Sequence, residues 1–258
     1  KLQADGVNPI QDIKLLFSLF WLYRKIRPDV VLNFTIKPNI YSAVAAKLLG
    51  IRSINNVTGL GTVFIKKNLL TLIVKRLYRV SLSCATKVFF QNKDDLDLFL
   101  DKNLVSRDKC ALLPGSGVDS SKFCPTVGKQ HDTFRFLMVA RLIRDKGIYE
   151  YVEAAKTLKN QGIEFWILGE SCPANKTALS KDEIVKLSNR GDITYFDKTD
   201  DVKSFLDRVD CVVLPSYREG SPRSIMEASA AALPVIVSDV PGCRQVVDNG
   251  ITGLYCKA

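Results

Sequence analysis

Histidine is nearly absent from this sequence: its 258 residues include a single one, His131. Catalytic triads of the Ser-His-Asp type, Cys-His nucleophile pairs and histidine-rich metal sites all depend on imidazole groups at defined places. The sequence therefore excludes these chemistries, and a histidine base is available only if His131 is that base.

Paired cysteines and long apolar runs are missing as well. The seven cysteines are scattered, odd in number and never spaced as Cys-x-x-Cys. This distribution disfavours a disulfide framework and a zinc site, and it fits buried thiols in a reducing compartment. The longest apolar runs, residues 15–23 and 69–74, fall far short of the roughly 20 residues that a membrane-spanning helix needs.

Acidic residues are absent from one long stretch. Residues 30–93 contain ten Lys and Arg and no Asp or Glu. The net charge of +10 arises wholly in residues 1–127, with 19 basic against nine acidic residues, whereas residues 128–258 carry 18 of each. We therefore expect the first half of the chain to meet an anionic partner.

What the sequence does contain is an alternation of short apolar runs and amphipathic stretches. Strands are predicted at residues 29–33, 53–57, 87–90, 111–113, 134–139, 164–168, 194–196, 211–214 and 235–237. Helices are predicted at residues 9–26, 39–49, 67–83, 94–100, 147–158, 182–189, 202–208 and 222–232. Such alternation predicts an α/β fold with parallel sheets covered on both faces. The polar stretch 126–132 predicts a linker between two domains, residues 1–127 and 128–258.

Ligands of such sheets bind beyond the carboxyl ends of the strands, where residues 216–239 carry the richest pattern. Glu219 and Gly220 occupy a predicted turn, and Ser221-Pro222 begins a helix whose first amides, in residues 220–224, can meet an anion. Glu227 follows eight residues after Glu219, so the two carboxylates can hold two hydroxyl-bearing parts of one ligand. The alternative is that one glutamate complements the helix dipole and the other is solvated.

A second candidate segment, residues 140–147, directly follows a predicted strand. Arg141 and Lys146 bracket its loop, and a guanidinium with an ammonium near a helix N-terminus suits a diphosphate. The alternative is a pair of ordinary surface charges.

Two further motifs are weaker. Gly59 and Gly61 repeat the first glycines of a dinucleotide fingerprint, but the third glycine and the ribose-binding acid are missing, so NAD is rejected. Asp95 and Asp97 form an Asp-x-Asp pair in the first turn of a predicted helix, which favours a structural role over a metal site.

Residues 64–79 interleave five basic side chains with apolar ones. A basic amphipathic helix of this kind can lie on anionic lipid. The alternative is a helix that packs on the core and solvates its basic face. The lack of nearby acidic residues favours the membrane.

Taken together, these segments resemble the family 4 retaining glycosyltransferases, which have the GT-B fold of two Rossmann-like domains. Residues 217–256 resemble the donor-binding segment with its Glu-x7-Glu motif. Residues 136–147 resemble the diphosphate-binding segment, and residues 112–125 resemble the turn into the second domain. Residues 33–64 are similar to bacterial enzymes of capsule, O-antigen and N-glycan assembly, which extend polyprenyl-diphosphate-linked glycans at the inner leaflet.

The resemblance implies roles for particular residues. Arg141 and Lys146 would neutralise the leaving diphosphate, Glu219 would hold the transferred sugar, and Glu227 would bind the ribose hydroxyls. The donor site would comprise Glu227, Gly220, Ser221, Pro222, Arg223, Ser224, Phe196, Asp197 and Lys198, and the first-domain cleft Lys37, Thr58, Gly59 and Gly61. The expected reaction moves a hexose or N-acetylhexosamine from a UDP-sugar with retention, by front-face attack, without metal or cofactor.

The chain departs from the family pattern in three respects. Many members carry a histidine where this strand ends at Thr58-Gly59, so backbone groups would take over its contact with the sugar. Asp197 stands where relatives often have glycine. The family's first strand and glycine-rich loop should precede residue 1, and its closing helices should follow residue 258, so we expect a fragment with both domains incomplete.

Two other functions compete with this one. A catalytically silent GT-B module would bind a sugar nucleotide or a partner enzyme, but Arg141, Lys146, Glu219 and Glu227 are all present. A nucleic-acid binder would explain the basic half, but helix-turn-helix, zinc and aromatic-platform signatures are missing. We therefore expect three partners, a nucleotide-sugar, a lipid-diphosphate-linked acceptor and an anionic membrane surface, with the protein peripheral on the cytoplasmic face.

Overall fold

The computed structural model describes residues 8–60, 69–126, 132–159, 161–173, 175, 177–189 and 191–257. Its contacts divide the chain into two units. The first comprises Lys1–Gly115 together with the short segment Glu219–Ser221, and the second comprises the rest. The first unit therefore ends at Gly115, twelve residues before the predicted domain boundary at residue 127. The buried Phe123 accounts for the difference, because it packs into the core of the second unit.

The first unit is a parallel sheet with helices along the chain between its strands. Its elements are α1 (Pro9–Ile26), β1 (Val30–Phe34), a π-helix (Pro38–Ser42), α2 (Ala43–Leu48), β2 (Arg52–Val57), α3 (Leu69–Cys84), β3 (Lys87–Phe90), α4 (Lys93–Asp101) and β4 (Cys110–Leu112). The strands follow the order β1-β2-β3-β4, and each pair is parallel. Tyr78, Phe90 and Phe99 are fully buried at the centre, with ring centroids 5.2 Å apart in both Tyr78–Phe99 and Phe90–Phe99.

The ends of α1 follow directly from the sequence. The Asn8 side chain accepts hydrogen bonds from the amides of Ile10 and Gln11, and Pro9 fits the first turn because its missing N–H has no helical partner there. The helix ends at Ile26, and the next residue, Arg27, takes a left-handed conformation directly before Pro28.

The second unit is a larger parallel sheet. Its elements are β5 (Phe134–Val139), α5 (Ile148–Thr157), β6 (Ile163–Leu168), α6 (Lys181–Asn189), β7 (Thr194–Phe196), α7 (Lys203–Leu206), β8 (Cys211–Leu214), α8 (Arg223–Ala230), β9 (Val235–Ser238), α9 (Cys243–Val246) and β10 (Gly253–Cys256). The order β10-β9-β8-β5-β6-β7 places β5 and β8 side by side in the middle of the sheet. Their carboxyl ends therefore meet at one edge.

The predicted α/β class and parallel sheets are confirmed, with two local differences. Residues 39–49, predicted as one helix, begin as a π-helix; the main-chain carbonyl of Asn39 accepts from the Asn55 side chain, 2.8 Å away, in competition with the regular helical ladder. The second difference is that β10 and α9 were not predicted. In the part of the chain that is described, no helix is both long and apolar enough to cross a membrane.

Candidate functional site

The loops that follow β5 and β8 are in direct contact. Gly147 has φ 77°, and a Cβ at this position would lie 2.1 Å from the carbonyl oxygen of Pro215. The amide of Tyr217 also donates to the carbonyl of Asp145, at 3.0 Å. Only glycine fits at residue 147, and the close packing fixes the loop that carries Arg141 and Lys146 against the loop that leads to α8.

The loop after β6 joins the same edge of the sheet. A Cβ at Gly169 would lie 1.9 Å from the carbonyl oxygen of Ala140, and the amide of Leu142 donates to the carbonyl of Glu170 at 3.0 Å. The loops that follow β8, β5 and β6, which are neighbouring strands in the sheet, are thus packed backbone to backbone. This is the position where open parallel sheets bind their ligands.

The two predicted cations lie on the first of these loops. Arg141 is exposed, and Lys146, at the end of a single 3-10 turn, is partly buried. The backbone between them is fixed by hydrogen bonds from Ile143 to Arg141 and from Lys146 to Ile143, at 2.8 and 3.0 Å. An exposed guanidinium on a rigid loop can meet a phosphate group with little loss of conformational freedom.

Glu227 lies on α8 and is 7% exposed. Its Oε1 accepts from Nε of Arg223 at 2.9 Å. Burial raises the pKa of this carboxyl, and the charges of Arg223 and Lys122 partly offset the effect. Arg223 and Glu227 lie one turn apart on the same helix. A buried carboxylate held in this way can accept hydrogen bonds from the vicinal hydroxyls of a sugar.

The N-terminus of α8 suits an anion. The residue before the helix is Pro222, which offers no side-chain acceptor to the amides of the first turn, and its carbonyl accepts from Ile225 and Met226 at 3.2 Å. Arg223 is 70% exposed in its side chain, and Ser224 follows it in the first turn. First-turn amides without a side-chain cap favour negative charge.

The segment Glu219–Ser221 groups with the first unit by its contacts. Glu219 is 9% exposed. A Cβ at Gly220 would lie 2.1 Å from the carbonyl oxygen of Thr58, and one at Gly59, which has φ 135°, would lie 3.3 Å from Cα of Gly220. The structure thus brings Gly220, predicted for the donor site, into contact with Thr58 and Gly59, predicted for the first-domain cleft. Gly61, the remaining glycine of that predicted cleft, lies outside the described residues.

Lys37 has a different environment. Its Nζ lies 3.1 Å from Oδ1 of Asp12 on α1, with both side chains largely buried, and Oδ2 of Asp12 accepts from the Tyr41 hydroxyl at 3.0 Å. Burial and the nearby carboxylate raise the pKa of Tyr41. The charge of Lys37 is therefore compensated within this cluster, and its assignment to a ligand cleft stays a prediction.

The loop predicted to border the base shows a division between core and surface. The ring of Phe196 packs on Trp166 and Phe205, with both centroid distances 5.0 Å, so it belongs to the core of the second unit. Asp197 and Lys198 are exposed, and Nζ of Lys198 lies 3.0 Å from Oε1 of Glu170, which raises the pKa of that lysine. Phe196 is partly buried, whereas Asp197 and Lys198 present their side chains to solvent.

Sequence reasoning missed Asn92. Its side chain accepts from the amide of Asp95 at 2.7 Å, which caps α4, and donates to the carbonyl of Gly220 at 2.8 Å. The cap could have been read from an asparagine after a strand and before two aspartates. The hydrogen bond to Gly220, which is 128 residues away along the chain, could not have been predicted from the local sequence. Asp95 itself is fully buried and accepts from Asn92, the kind of structural role that its position suggested.

A metal site would need carboxylate, thiol or imidazole side chains close together, and the one imidazole, that of His131, lies outside the described residues. Among the described residues, no three of these side chains are grouped so that they could hold a metal ion.

The two parallel-sheet α/β units of this chain have the architecture of the GT-B class of glycosyltransferase folds. Residues 121–258 match the family model described as Glycosyl transferases group 1, and residues 1–92 match Glycosyl transferase 4-like. The first match covers more than half of the chain, so the chain belongs to the glycosyl transferases group 1 family.

Curated relatives are similar along nearly the whole chain. The N,N'-diacetylbacillosaminyl-diphospho-undecaprenol alpha-1,3-N-acetylgalactosaminyltransferase of Campylobacter jejuni is 28% identical, covering 98% of this chain and 70% of that protein. The UDP-Gal:alpha-D-GlcNAc-diphosphoundecaprenol alpha-1,3-galactosyltransferase of Escherichia coli is also 28% identical, covering 98% and 68%. The chain thus spans about 70% of the length of these relatives.

Solved structures show the same fold. Sucrose-phosphate synthase from Thermosynechococcus elongatus superimposes with a TM-score of 0.80 at 19% identity, covering 100% of this chain and 69% of that one. Anabaena Alr3699/HepE in complex with UDP-glucose gives a TM-score of 0.76 at 14% identity, covering 97% and 70%.

Proposed function

We propose that this protein transfers a hexose or N-acetylhexosamine from a UDP-sugar to a lipid-diphosphate-linked glycan, with retention of configuration, in the synthesis of a bacterial surface polysaccharide or glycan. The observation that carries the proposal is the rigid contact between the β5 and β8 loops around Gly147 and Pro215. It brings the loop of Arg141 and Lys146 to the loop that leads into α8 and Glu227. Cations on one loop, and a buried carboxylate on the helix that follows the adjoining loop, suit the diphosphate and ribose of one nucleotide.

The names of the relatives support the choice of substrates. One is named for a UDP-galactose donor and an undecaprenol-diphosphate acceptor, and the other for an undecaprenol-diphosphate acceptor. A structural neighbour was solved with UDP-glucose. The basic first half of the chain, with no acid between residues 30 and 93, is complementary to a lipid diphosphate.

The proposed reaction uses charge neutralisation as its main catalytic effect. The bond between the anomeric carbon and the β-phosphate oxygen breaks, and the acceptor hydroxyl attacks from the same face. Its proton passes to the leaving phosphate oxygen, so a protein base is not needed. Arg141 and Lys146 stabilise the charge that develops on the diphosphate. Glu219 holds the sugar and supports positive charge near its anomeric carbon, while Glu227 binds the ribose.

The same proposal assigns no metal to the reaction. Two side-chain cations and the first-turn amides of α8 would supply the positive charge that a divalent ion supplies in other transferases. Activity should therefore persist in a chelator.

We also propose that the protein attaches peripherally to the cytoplasmic face of the membrane through α3. The face of this helix opposite its buried Val74 and Tyr78 exposes Leu69, Leu72, Ile73 and Val80. Arg76 lies among these side chains and is also exposed. Apolar groups that enter the lipid, next to cations that meet its headgroups, are the features of an interfacial helix.

The experiment that tests the reaction incubates the protein with UDP-sugars and an undecaprenyl-diphosphate-linked sugar, with and without EDTA. Mass spectrometry should show an acceptor heavier by one hexose or N-acetylhexosamine in both conditions, and NMR should show the anomeric configuration of the donor. An inverted anomer would contradict retention, and loss of activity in EDTA would contradict the metal-free reaction. Binding of UDP without any product would favour the silent module.

A further inference from the structure

We infer that Asn92 is a positioning residue that fixes the loop Glu219–Ser221 through the carbonyl of Gly220. The catalytic consequence of this inference rests on the proposed function, because that function places Glu219 at the transferred sugar. The positioning itself rests only on contacts within the first unit, to which the loop belongs.

The hydrogen bonds of Asn92 define the orientation of its amide. Its Oδ1 accepts from the main-chain amide of Asp95 at 2.7 Å, and its Nδ2 donates to Oδ2 of Asp95 at 3.1 Å and to the carbonyl of Gly220 at 2.8 Å. An amide N–H can only donate, and a carboxylate or carbonyl can only accept, so the reverse orientation would break all three contacts. The side chain is 1% exposed, so water does not compete with these bonds.

The partner carboxylate is itself fixed. Asp95 is fully buried, and its charge, after the larger effect of burial, raises the pKa of Tyr78. Tyr78 is fully buried and packs edge-on against Phe99 of α4. The Nδ2 group of Asn92, which donates to Gly220, is therefore also held by the buried carboxylate of Asp95 within the core of the first unit.

Gly220 is confined on its other side. The carbonyl of Thr58 would lie 2.1 Å from a Cβ at residue 220, and Cα of Gly59 would lie 3.0 Å from it. The loop backbone is thus pressed against the end of β2 while Asn92, at the end of β3, holds its carbonyl. Loss of the Asn92 bond would leave a buried carbonyl unpaired and would let the adjacent Glu219 move.

This arrangement predicts a particular kinetic effect. Arg141, Lys146 and Glu227 lie on other elements and keep their places, so the donor KM should change far less than kcat. A displaced Glu219 should instead slow the step in which charge develops on the sugar. Displacement of a catalytic group by about 1 Å can lower a rate by roughly 100-fold.

The test compares Asn92→Ser with Asn8→Ser. Serine is a good N-cap, so Asn92→Ser keeps an acceptor for the α4 amide but is too short to reach Gly220. Asn8 also caps a helix, α1, through bonds from Ile10 and Gln11, so Asn8→Ser makes the same chemical change at a cap without a link to the loop. The readouts are hydrogen exchange of the peptide that covers residues 216–224, and the KM and kcat of transfer.

We expect Asn92→Ser to exchange faster over residues 216–224 and to lower kcat by roughly 10- to 100-fold, with the donor KM changed less than about twofold. Asn8→Ser should change neither quantity. Unchanged exchange in Asn92→Ser, or an equal kcat loss in both variants, would overturn the positioning role. If the wild type transfers no sugar, the proposed function fails, and the exchange result still decides the role of Asn92.

Discussion

Glu227 combines two requirements that oppose each other. In the proposed function its carboxyl binds the ribose hydroxyls most strongly when it is ionised, yet its position on α8 is buried, and burial raises its pKa above the ordinary value of 4.5. The folded state therefore binds this proton more tightly than the unfolded state does. The resulting contribution to stability is fully present below pH 4.5 and is lost as the pH rises through the raised value.

This gives a prediction for Glu227→Gln, whose side chain does not titrate. Its thermal midpoint should rise relative to the wild type as the pH increases from below 4.5 toward neutrality. Its affinity for UDP should fall by roughly 10-fold or more, because hydrogen bonds to a charged group are lost. Thermal unfolding from pH 3.5 to 7.5, with and without UDP, measures both. A constant midpoint difference across that range would contradict the pKa shift.

The predictability of single residues depends on how local their signal is. Glu219 and Glu227 are predicted from the sequence because seven residues of turn and helix separate them in a recognisable motif. Phe196 is predicted to border the base from its sequence position; its partly buried ring packs on Trp166 and Phe205, and its role at the base stays a prediction. Which way a residue at a strand end faces is set by tertiary packing, and the local sequence does not reveal it.

At the scale of elements, the contact of the β5 and β8 loops depends on one glycine. Gly147→Ala should destabilise the protein by about 1–3 kcal/mol beyond the cost of a left-handed alanine, because the new Cβ overlaps the carbonyl of Pro215. It should also weaken UDP binding, because the loop of Arg141 must shift. Urea denaturation and UDP titration measure the two effects.

Gly162→Ala is the matched control for that substitution. Gly162 has φ 69°, close to the 77° of Gly147, but no described atom lies within 4 Å of its would-be Cβ. The control carries the conformational cost of roughly 1 kcal/mol alone. Equal destabilisation of the two variants would show that the loop contact contributes nothing.

The exposed face of α3 gives the prediction for membrane attachment. The double substitution Leu72→Glu, Ile73→Glu should reduce binding to anionic vesicles at least roughly 10-fold, since each of these two apolar side chains contributes about 1.5–3 kcal/mol when it passes from water into the lipid. Both side chains are exposed, so the fold should tolerate the change. Co-sedimentation with phosphatidylglycerol vesicles measures the binding.

The control for α3 is Ile251→Glu, a change on the second unit at a side chain that is 85% exposed. It should leave vesicle binding unaltered. Equal loss in both proteins would show that added negative charge alone explains the effect, and preference of the wild type for duplex DNA over vesicles would contradict attachment to the membrane.

Most elements could be predicted because parallel strands are buried on both faces and appear as apolar runs. Residues 87–90, 134–139, 194–196 and 211–214 form strands with the predicted bounds. The strand β10 (Gly253–Cys256) was missed because its formation depends on its neighbour. A Cβ at Gly253 would lie 2.4 Å from the carbonyl of Val235, so close pairing with β9 defines the strand. The π-helix after β1 likewise follows from long-range bonds of Asn39 and Asn55.

At the scale of the whole molecule, charge separates the two halves of the chain. The excess of +10 lies in residues 1–127, while the half that contains Arg141, Lys146 and Glu227 is balanced. We interpret this as a difference in function. In the proposed function the basic first half binds anionic lipid and the acceptor, and the second half binds the nucleotide through a few charged side chains at defined positions. Net charge could be read from the sequence, whereas the loops that place those charges needed the structure.

Sugar transfer by the wild type and by Glu219→Gln, with UDP affinity measured on both, tests the proposed function most directly. The wild type should add one sugar to an undecaprenyl-diphosphate-linked acceptor. Glu219→Gln should bind UDP with similar affinity and transfer sugar roughly 100- to 1,000-fold more slowly, because the group that stabilises the developing charge is lost. Transfer at the wild-type rate by Glu219→Gln would contradict the role of Glu219, and UDP binding by the wild type with no product from any UDP-sugar would contradict the proposed transfer.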